Sequence, residues 1–401
     1  MTVDIEQKRT KHLDESLTIQ HDWHLCLRDP VAQFFVGIKP VGASKTEFIQ
    51  IQVTKLVDEY GFSVLPGEGS VKSSEFSDVS LDQLKNLHVT FRGRTTIFVA
   101  PTSEKKCGGL RSAPRSLDFS STGNTFVTAD SSGNLTVASS SKAEILRTLE
   151  GHIMDVYRCK FFPSGLVVLS GGMDMTIRIW AVDSGVCAKT LKGHTQSVTG
   201  LGIIGVGKEI LSCSNDGTAK MWKCGSGETI DSWEFKKGKC VDLAVSVDSS
   251  RFAVICENNF LSIIDLHGEK MRRDIHLSLV PSALCFSGDE AGEVIFVGFV
   301  DGHVAAYNVS DKSLIGEIIT EKGSVTCLKY FRNRLLVAFT TGNVFAYQIL
   351  SLPSSSEPCV VSAEFELTGA DCEPVYDIAF HDKSVHTCGR DGFIRTYMFN
   401  M

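Results

Sequence analysis

The sequence predicts an all-β protein built from repeated four-stranded units, and three observations lead to this prediction. The first is a motif that occurs twice, Gly151-His152 with Asp174 and Trp180, then Gly193-His194 with Asp216 and Trp222. Both the His and the Trp positions recur after 42 residues. The second is a series of short apolar runs bounded by Gly, Asp and Ser, which is typical of strands. The third is the Asp-Gly pair at 216–217, 301–302 and 391–392, which favours tight hairpins because both residues tolerate positive φ.

Weaker copies of the motif extend the same frame over most of the chain. A turn residue recurs at Ser132, Asp174, Asp216, Asn258, Asp301, Thr341 and Asp391. Six positions later lie Ala138, Trp180, Trp222, Ile264, Tyr307, Tyr347 and Tyr397. The last step is longer than the others, which we attribute to a surface loop at Leu352–Pro358. A period near 42 residues is that of WD repeats, so the chain is expected to fold as a seven-bladed WD40 β-propeller.

The domain organisation follows from how the last repeat ends. Tyr397 is followed by only four residues, so the outer strand of the last blade must come from upstream of the first repeat. We expect that strand within residues 87–99, at Leu87–Phe91 or Thr96–Val99, closing the ring. Residues 86–401 would then form the propeller. Residues 1–85 would form a small appended N-terminal domain, with a half-buried strand at Phe48–Thr54 and a capped helical turn at Ser80–Lys85.

Composition excludes several classes of function. The net charge is −7, and the basic clusters are short, so we expect no nucleic-acid binding. There is no run of 18 apolar residues and no apolar signal core after Met1, so we expect neither a membrane span nor export. The chain should be cytoplasmic, with a nuclear pool also open. Its 13 cysteines are scattered without a CxxC pair, which favours reduced buried thiols over disulfides or zinc.

Two patterns resemble catalytic or cofactor sites, and neither supports one. The repeated polar sets are His152, Ser170, Asp174 and Trp180, and His194, Ser212, Asp216 and Trp222. Because they recur with the 42-residue period, we interpret them as buried hydrogen-bonded scaffolding. Gly202–Lys208 fits a phosphate-binding loop, but Glu209 replaces the Ser or Thr that would bind magnesium. We therefore expect no catalytic residues, cofactor or metal.

Several stretches resemble the proteasomal ATPase-associated factor family of WD-repeat proteins. The segment Glu366–Tyr376 carries most of the resemblance. From Leu367 onward it reads Leu-Thr-Gly-Ala-Asp-Cys-Glu-Pro-Val-Tyr, which is not a generic repeat sequence. Leu149–His152, Phe161–Asp174, Cys388–Gly392 and Ile19–Trp23 add to it. The resemblance implies an assembly chaperone that binds the C-terminal domain of a proteasomal ATPase subunit and disfavours premature docking onto the core particle. We expect the chain to act as a monomer.

The alternative is a different WD40 scaffold, such as a ubiquitin-ligase substrate receptor. One class of such receptors carries Trp-Asp-x-Arg, whereas Trp180 precedes Ala and Trp222 precedes Lys here. In either case the partner should contact the face that carries the loops entering the innermost strands. The candidate contact residues on that face are Asp155, Tyr157, Arg158, Asp371, Glu373, Tyr376, Asp377 and Arg390. Packing between blades is an equal alternative for Tyr157 and Tyr376.

Overall fold

The structure is a computed structural model, and it describes most of the chain. The described residues are 9–10, 16–29, 31–39, 45–55, 62–69, 76–106, 112–142, 144–235, 238–268, 270–288, 294–351, 360–370 and 372–398. Almost all regular structure in these ranges is β-strand, as the sequence predicts. The predicted surface loop at Leu352–Pro358 lies outside the described residues.

Nine strands and one short helix precede the repeats. They are β1 (Arg9–Thr10), β2 (Ser16–Ile19), α1 (Trp23–Cys26), β3 (Val31–Lys39), β4 (Glu47–Lys55), β5 (Phe62–Gly69), β6 (Phe76–Leu81), β7 (Leu87–Phe91), β8 (Arg94–Val99) and β9 (Ser103–Lys106).

The first four blades follow in chain order. Blade one contains β10 (Pro114–Phe119), β11 (Thr125–Asp130), β12 (Leu135–Ser139) and β13 (Ile145–Leu149). Blade two contains β14 (Val156–Phe161), β15 (Val167–Gly172), β16 (Thr176–Ala181) and β17 (Cys187–Lys192). Blade three contains β18 (Val198–Ile204), β19 (Glu209–Ser214), β20 (Thr218–Lys223) and β21 (Thr229–Glu234). Blade four contains β22 (Cys240–Val245), β23 (Arg251–Cys256), β24 (Phe260–Asp265) and β25 (Arg272–His276).

The last three blades complete the set. Blade five contains β26 (Pro281–Phe286), β27 (Val294–Phe299), β28 (Val304–Asn308) and β29 (Leu314–Ile318). Blade six contains β30 (Val325–Phe331), β31 (Arg334–Phe339), β32 (Val344–Ser351) and β33 (Val360–Leu367). Blade seven takes three strands from the repeat, β34 (Val375–His381), β35 (Ser384–Gly389) and β36 (Phe393–Met398).

Blades one to six are antiparallel meanders whose four strands pair in chain order, and β34 to β36 of blade seven pair in the same way. The first strand of each blade contacts the first strand of the next blade, and β10 of blade one also contacts β34 of blade seven. The first strands therefore form the innermost layer of the propeller. The third-strand positions that the repeat frame aligns, from Ala138 to Tyr397, are all buried. The fold class that the sequence predicts is confirmed.

The fourth strand of blade seven comes from the early part of the chain, but from a different segment than the one we predicted. β9 pairs antiparallel with β36, with Ser103 opposite Thr396 and Lys106 opposite Phe393. The prediction of a strand within 87–99 is wrong. Those residues form β7 and β8, whose apolar side chains face the N-terminal core instead. The polar sequence of β9 suits an outermost strand, where every second side chain faces solvent.

The N-terminal extension contacts blades five, six and seven, and its first strand, β1, pairs in parallel with β29 of blade five. Strands β2 to β5 form one sheet, while β8 pairs in parallel with β33 of blade six, so that β6 to β8 extend that blade. Trp23 is fully buried, and its indole N–H donates to Thr368 Oγ1 at 3.0 Å, just after β33. The boundary that we placed at residue 85 falls between β6 and β7, inside one hairpin.

Two local predictions in the extension have opposite outcomes. The half-buried strand at Phe48–Thr54 is confirmed, since it lies within β4 and Ile49, Ile51 and Val53 are buried. The helical turn at Ser80–Lys85 is wrong. Asp82 accepts backbone N–H bonds from Leu84 and Asn86, each at 2.8 Å, and this closes a tight turn between β6 and β7. Within the described ranges, no helix has the length and apolar character needed to cross a membrane.

Candidate protein-binding face

One face of the propeller is defined by a backbone hydrogen bond that recurs from blade to blade. In blade two the N–H of Met173 donates to the carbonyl of Asp155 at 2.8 Å. Equivalent bonds join Val300 to Val280 in blade five and Arg390 to Pro374 in blade seven. Each bond ties the loop that enters the innermost strand to the turn between the second and third strands. We call the face formed by these loops and turns the top face.

The two polar tetrads lie directly beneath this face and form continuous hydrogen-bond chains. In blade two, His152 Nδ1 lies 2.8 Å from Asp174 Oδ2, and its Nε2 lies 2.7 Å from Ser170 Oγ. The indole N–H of Trp180 donates to the same hydroxyl at 2.8 Å. In blade three the matching distances are 2.8, 2.8 and 2.9 Å, through His194, Asp216, Ser212 and Trp222.

The aspartates of the tetrads also fix the turns of the top face. Asp174 Oδ1 accepts from the backbone N–H and the hydroxyl of Thr176, and Asp216 does the same with Thr218. Burial alone would raise the pKa of Asp174, but hydrogen bonds from His152 and Thr176 outweigh it and hold the pKa at about 2. The pKa of Asp216 is lowered in the same way. The imidazoles and carboxylates are buried, so these sets hold loops in place rather than face a substrate.

Five of the eight candidate contact residues lie at the top of blades two and seven: Asp155, Tyr157, Glu373, Tyr376 and Arg390. Arg115 of blade one joins them, because its Nη2 lies 4.0 Å from Asp155 Oδ2 and its guanidinium carbon lies 4.7 Å from the ring centroid of Tyr376. Arg390 is exposed and its Nε lies 3.6 Å from Glu373 Oε2. Asp371 lies outside the described residues.

The remaining two candidates, Arg158 and Asp377, take part in a charge network at the axis of the propeller. Arg158 Nη2 lies 3.5 Å from Asp242 Oδ1, so this pair joins innermost strands of blades two and four. Asp377 Oδ1 lies 3.5 Å from Lys329 Nζ, and Asp377 Oδ2 accepts from the hydroxyl of Ser116 at 2.8 Å. Asp377 is only 6% exposed, which leaves little of it for a partner to contact.

The electrostatics of this axial network explain why charged side chains are tolerated there. Burial alone would raise the pKa of Asp377, but the charges of Lys329 and Arg158 outweigh it and lower the pKa. The charge of Asp377 raises the pKa of Lys329 in return. Burial also raises the pKa of Asp118, although that carboxyl accepts the backbone N–H of Phe161 at 2.7 Å. Removing one member of such a pair would leave an uncompensated charge between the innermost strands, which is strongly destabilising.

Comparison with known proteins decides the family. The family model described as "WD domain, G-beta repeat" matches residues 143–181 and 185–223, which run from the last strand of blade one to the third strand of blade three. Proteasomal ATPase-associated factor 1 of Homo sapiens is 30% identical over 413 residues, covering 96% of this chain and 98% of that protein. The chain belongs to the proteasomal ATPase-associated factor 1 family. The Bos taurus protein of that name is equally similar, and a probable Dictyostelium discoideum member is 26% identical over 40% of this chain and 36% of its own length.

This member of the family displays a group of apolar side chains on its top face that sequence reasoning missed. Ile153 and Met154, in the loop before β14, are 80% and 46% exposed. Met173 and Met175, in the turn before β16, are 45% and 44% exposed. We call these four residues the blade-two patch. The sequence carries one signal of it, because Met175 stands where five of the seven repeats have Gly after the turn residue.

Away from the top face, the described residues of this family member offer weaker candidates for a functional site. A cleft of about 210 Å³ lies between the β6–β7 turn and blades six and seven. Its charged side chains pair with each other, as Arg334 Nε and Nη2 donate to Glu364 at 2.7 and 2.9 Å. Among the described residues, no three His, Cys, Asp or Glu side chains are placed to hold a metal ion. The top face is therefore the strongest candidate for a functional surface.

Proposed function

We propose that this protein is a non-catalytic assembly chaperone of the proteasome regulatory particle. It binds the C-terminal domain of a proteasomal ATPase subunit through its top face and disfavours premature docking of that subunit onto the core particle. The observation that supports this proposal is the similarity to proteasomal ATPase-associated factor 1 along nearly the whole chain. The proposal places the protein in the cytoplasm, with a nuclear pool, as a monomer when it is unbound.

The geometry of the top face is compatible with binding of this kind. Its loops are held from below by the tetrads of blades two and three, so little ordering of loops is needed when a partner binds. Tyr376, Arg115 and Arg390 are of the residue types that most often dominate the binding energy of interfaces. A standard interface needs about 800 Å² from each partner, and a propeller face of seven blades supplies more than this. Binding would act by steric exclusion of the core particle, with no covalent bond made or broken.

Charge should contribute to the rate of encounter rather than to the final affinity. The chain carries a net charge of −7, which favours a partner with a basic surface. Raising the salt concentration screens such attraction beyond roughly 8 Å at physiological ionic strength. We expect the association rate with the ATPase subunit to fall as salt is raised. An association rate that is independent of salt would show that charge does not steer the encounter.

The decisive experiment is affinity purification of the full chain from cells, followed by mass spectrometry. The chaperone function predicts recovery of proteasomal ATPases without the α and β subunits of the core particle. Recovery of cullins or ligase adaptors without ATPases would instead identify a ubiquitin-ligase substrate receptor and contradict the proposal. The double variant Tyr376→Ala/Arg390→Glu should lower the recovery of ATPases.

A matched control for that variant lies on the opposite face. Leu166 is 67% exposed in the turn between β14 and β15, away from the top-face loops. Leu166→Ser should leave the recovery of ATPases unchanged. If Leu166→Ser abolishes recovery while the Tyr376/Arg390 variant retains it, the binding face has been assigned to the wrong side of the propeller.

A further inference from the structure

The blade-two patch is an apolar surface that the fold does not require. Its four side chains expose on the order of 400 Å² in total, which is the size of the largest and often functional apolar patches on monomeric proteins. The two segments that carry them are held together by the Met173–Asp155 backbone bond. Close packing against blade one also fixes the Ile153–Met154 loop, because a Cβ at Gly133 would lie 2.7 Å from the carbonyl of His152.

The backbone conformation at Met175 is unfavourable for a residue with a side chain. Its φ is +63°, in the left-handed region that favours glycine. The equivalent turn position is also left-handed in the other six blades, with the residues Gly133, Gly217, Asn259, Gly302, Gly342 and Gly392. Only blade two places a large apolar side chain in this conformation, and that side chain is nearly half exposed. Because packing of this side chain does not offset the backbone strain, the strain points to a role in binding.

The size and surroundings of the patch indicate what covers it. A second copy packed patch to patch would bury roughly 800 Å² in total, which is no more than typical crystal contacts and too little for a stable dimer. A different partner can continue from the patch across Asp155 to Arg115 and Tyr376, which are already linked to one another. That larger footprint combines an apolar centre with a polar, charged margin, which is the usual anatomy of a specific interface.

We infer that the blade-two patch receives large apolar side chains of the bound proteasomal ATPase subunit and acts as the energetic centre of the interface. This inference rests on the proposed function, and it assigns the binding energy to one sector of the top face. Three of the four side chains are methionines, and the unbranched thioether chain of methionine adapts its shape to an apolar partner. The polar residues near Tyr376 then set the orientation of the partner.

The test uses the purified full chain and a panel of purified proteasomal ATPase subunits, with dissociation constants measured by calorimetry. The variant Ile153→Ser/Met175→Gly removes two patch side chains and places at 175 the residue that most repeats carry. We expect its affinity for the ATPase subunit to fall at least tenfold. Its thermal midpoint should stay at or above that of the wild type, since the glycine relieves strain. Loss of binding in a variant of undiminished stability cannot be ascribed to misfolding.

The matched control is Val300→Ser, which changes the residue equivalent to Met173 in blade five. Val300 is 51% exposed on the same face but lies outside the patch, and its variant should bind within twofold of the wild type. Patch variants that bind as tightly as the wild type would overturn the inference and leave the proposed function standing. A wild-type chain that binds no ATPase subunit would overturn both, and this is recognisable because the unmodified protein fails. Sedimentation that shows a dimer dissociated by the patch variant would assign the patch to self-association and overturn the inference.

Discussion

Blades three and four are neighbours with the same four-stranded topology, yet they are stabilised by different means. Blade three contains a chain of side-chain hydrogen bonds that runs from Asp216 through His194 and Ser212 to Trp222. In blade four, 42 residues later, Val254 stands in place of Ser212 and Ile264 in place of Trp222, and both are fully buried. Asn258, in place of Asp216, is exposed.

The comparison shows that the period of the repeat and the tetrad have separate roles. The spacing of turns and apolar strands is enough to build a blade, because blade four folds with an apolar interior. The tetrad adds a directional network that links the entry loop, the turn and the third strand of a blade. It does so at the cost of three buried polar side chains that must all stay paired. Four predictions test this difference, beginning with the largest expected effect.

The variant Trp222→Ala should cause the largest loss in this comparison. It removes a buried ring and leaves the hydroxyl of Ser212 without its indole donor. We expect the free energy of unfolding to fall by about 3–5 kcal/mol, measured by urea denaturation. A loss below about 1 kcal/mol would mean that neighbouring side chains refill the cavity.

The variant Asp216→Ala should destabilise the protein less, by about 1–3 kcal/mol, because it leaves His194 and the backbone N–H groups of the turn without an acceptor. The matched variant in blade four is Asn258→Ala, at an exposed position. We expect it to change stability by less than about 0.5 kcal/mol. Equal losses for the two variants would show that the turn residue acts through the turn alone and that the tetrad adds nothing.

Acid should selectively weaken the blades that contain tetrads. The pKa of Asp174 is about 2 in the folded protein and that of Asp216 is also lowered, so both bind protons more readily in the unfolded chain. Their contribution to stability is complete above about pH 4 and is lost as the pH falls towards 2. Denaturation curves between pH 2 and 6 should show a smaller decline for Asp174→Asn/Asp216→Asn than for the wild type. Parallel curves would contradict the assignment.

The variant Ile264→Val in blade four should have the smallest effect, a loss of about 0.5–1.5 kcal/mol, since it removes one methylene and leaves no polar group unpaired. The measurement is again urea denaturation, with Trp222→Phe in blade three as the partner variant. We expect Trp222→Phe to cost more than Ile264→Val because the indole N–H is lost as well. The reverse order would assign the stability of blade three to packing only.

The sequence allowed the repeat architecture to be predicted because its signals are local. Asp-Gly turns, alternating strands and the spacing of His194 to Asp216 are each set within one blade. Residues brought together from distant parts of the chain carry no such signal. Arg158 and Asp242 lie 84 positions apart, and their pairing follows only from the distance between innermost strands of blades two and four.

The misassigned closing strand has the same cause. Leu87–Phe91 alternates more clearly than Ser103–Lys106, so the pattern favoured it as a strand of the propeller. The alternation is real, but the apolar side chains of β7 are buried by the N-terminal extension, which the repeat frame does not describe. Met175 was overlooked for a different reason. Glycine at the equivalent position of five repeats signals a left-handed turn, but only the φ of Met175 shows that blade two keeps this conformation without a glycine.

The pairing of β9 with β36 also determines when the molecule can finish folding. Glu104 accepts a 2.7 Å bond from Arg395, and the two are 291 positions apart. At a translation rate of about 5–20 residues per second, roughly 15–60 seconds pass between the synthesis of β9 and that of its partner strand β36. Blades one to six are synthesised during that interval while β9 still lacks its partner strand, so the sheet of blade seven can be completed only after β36 has been made.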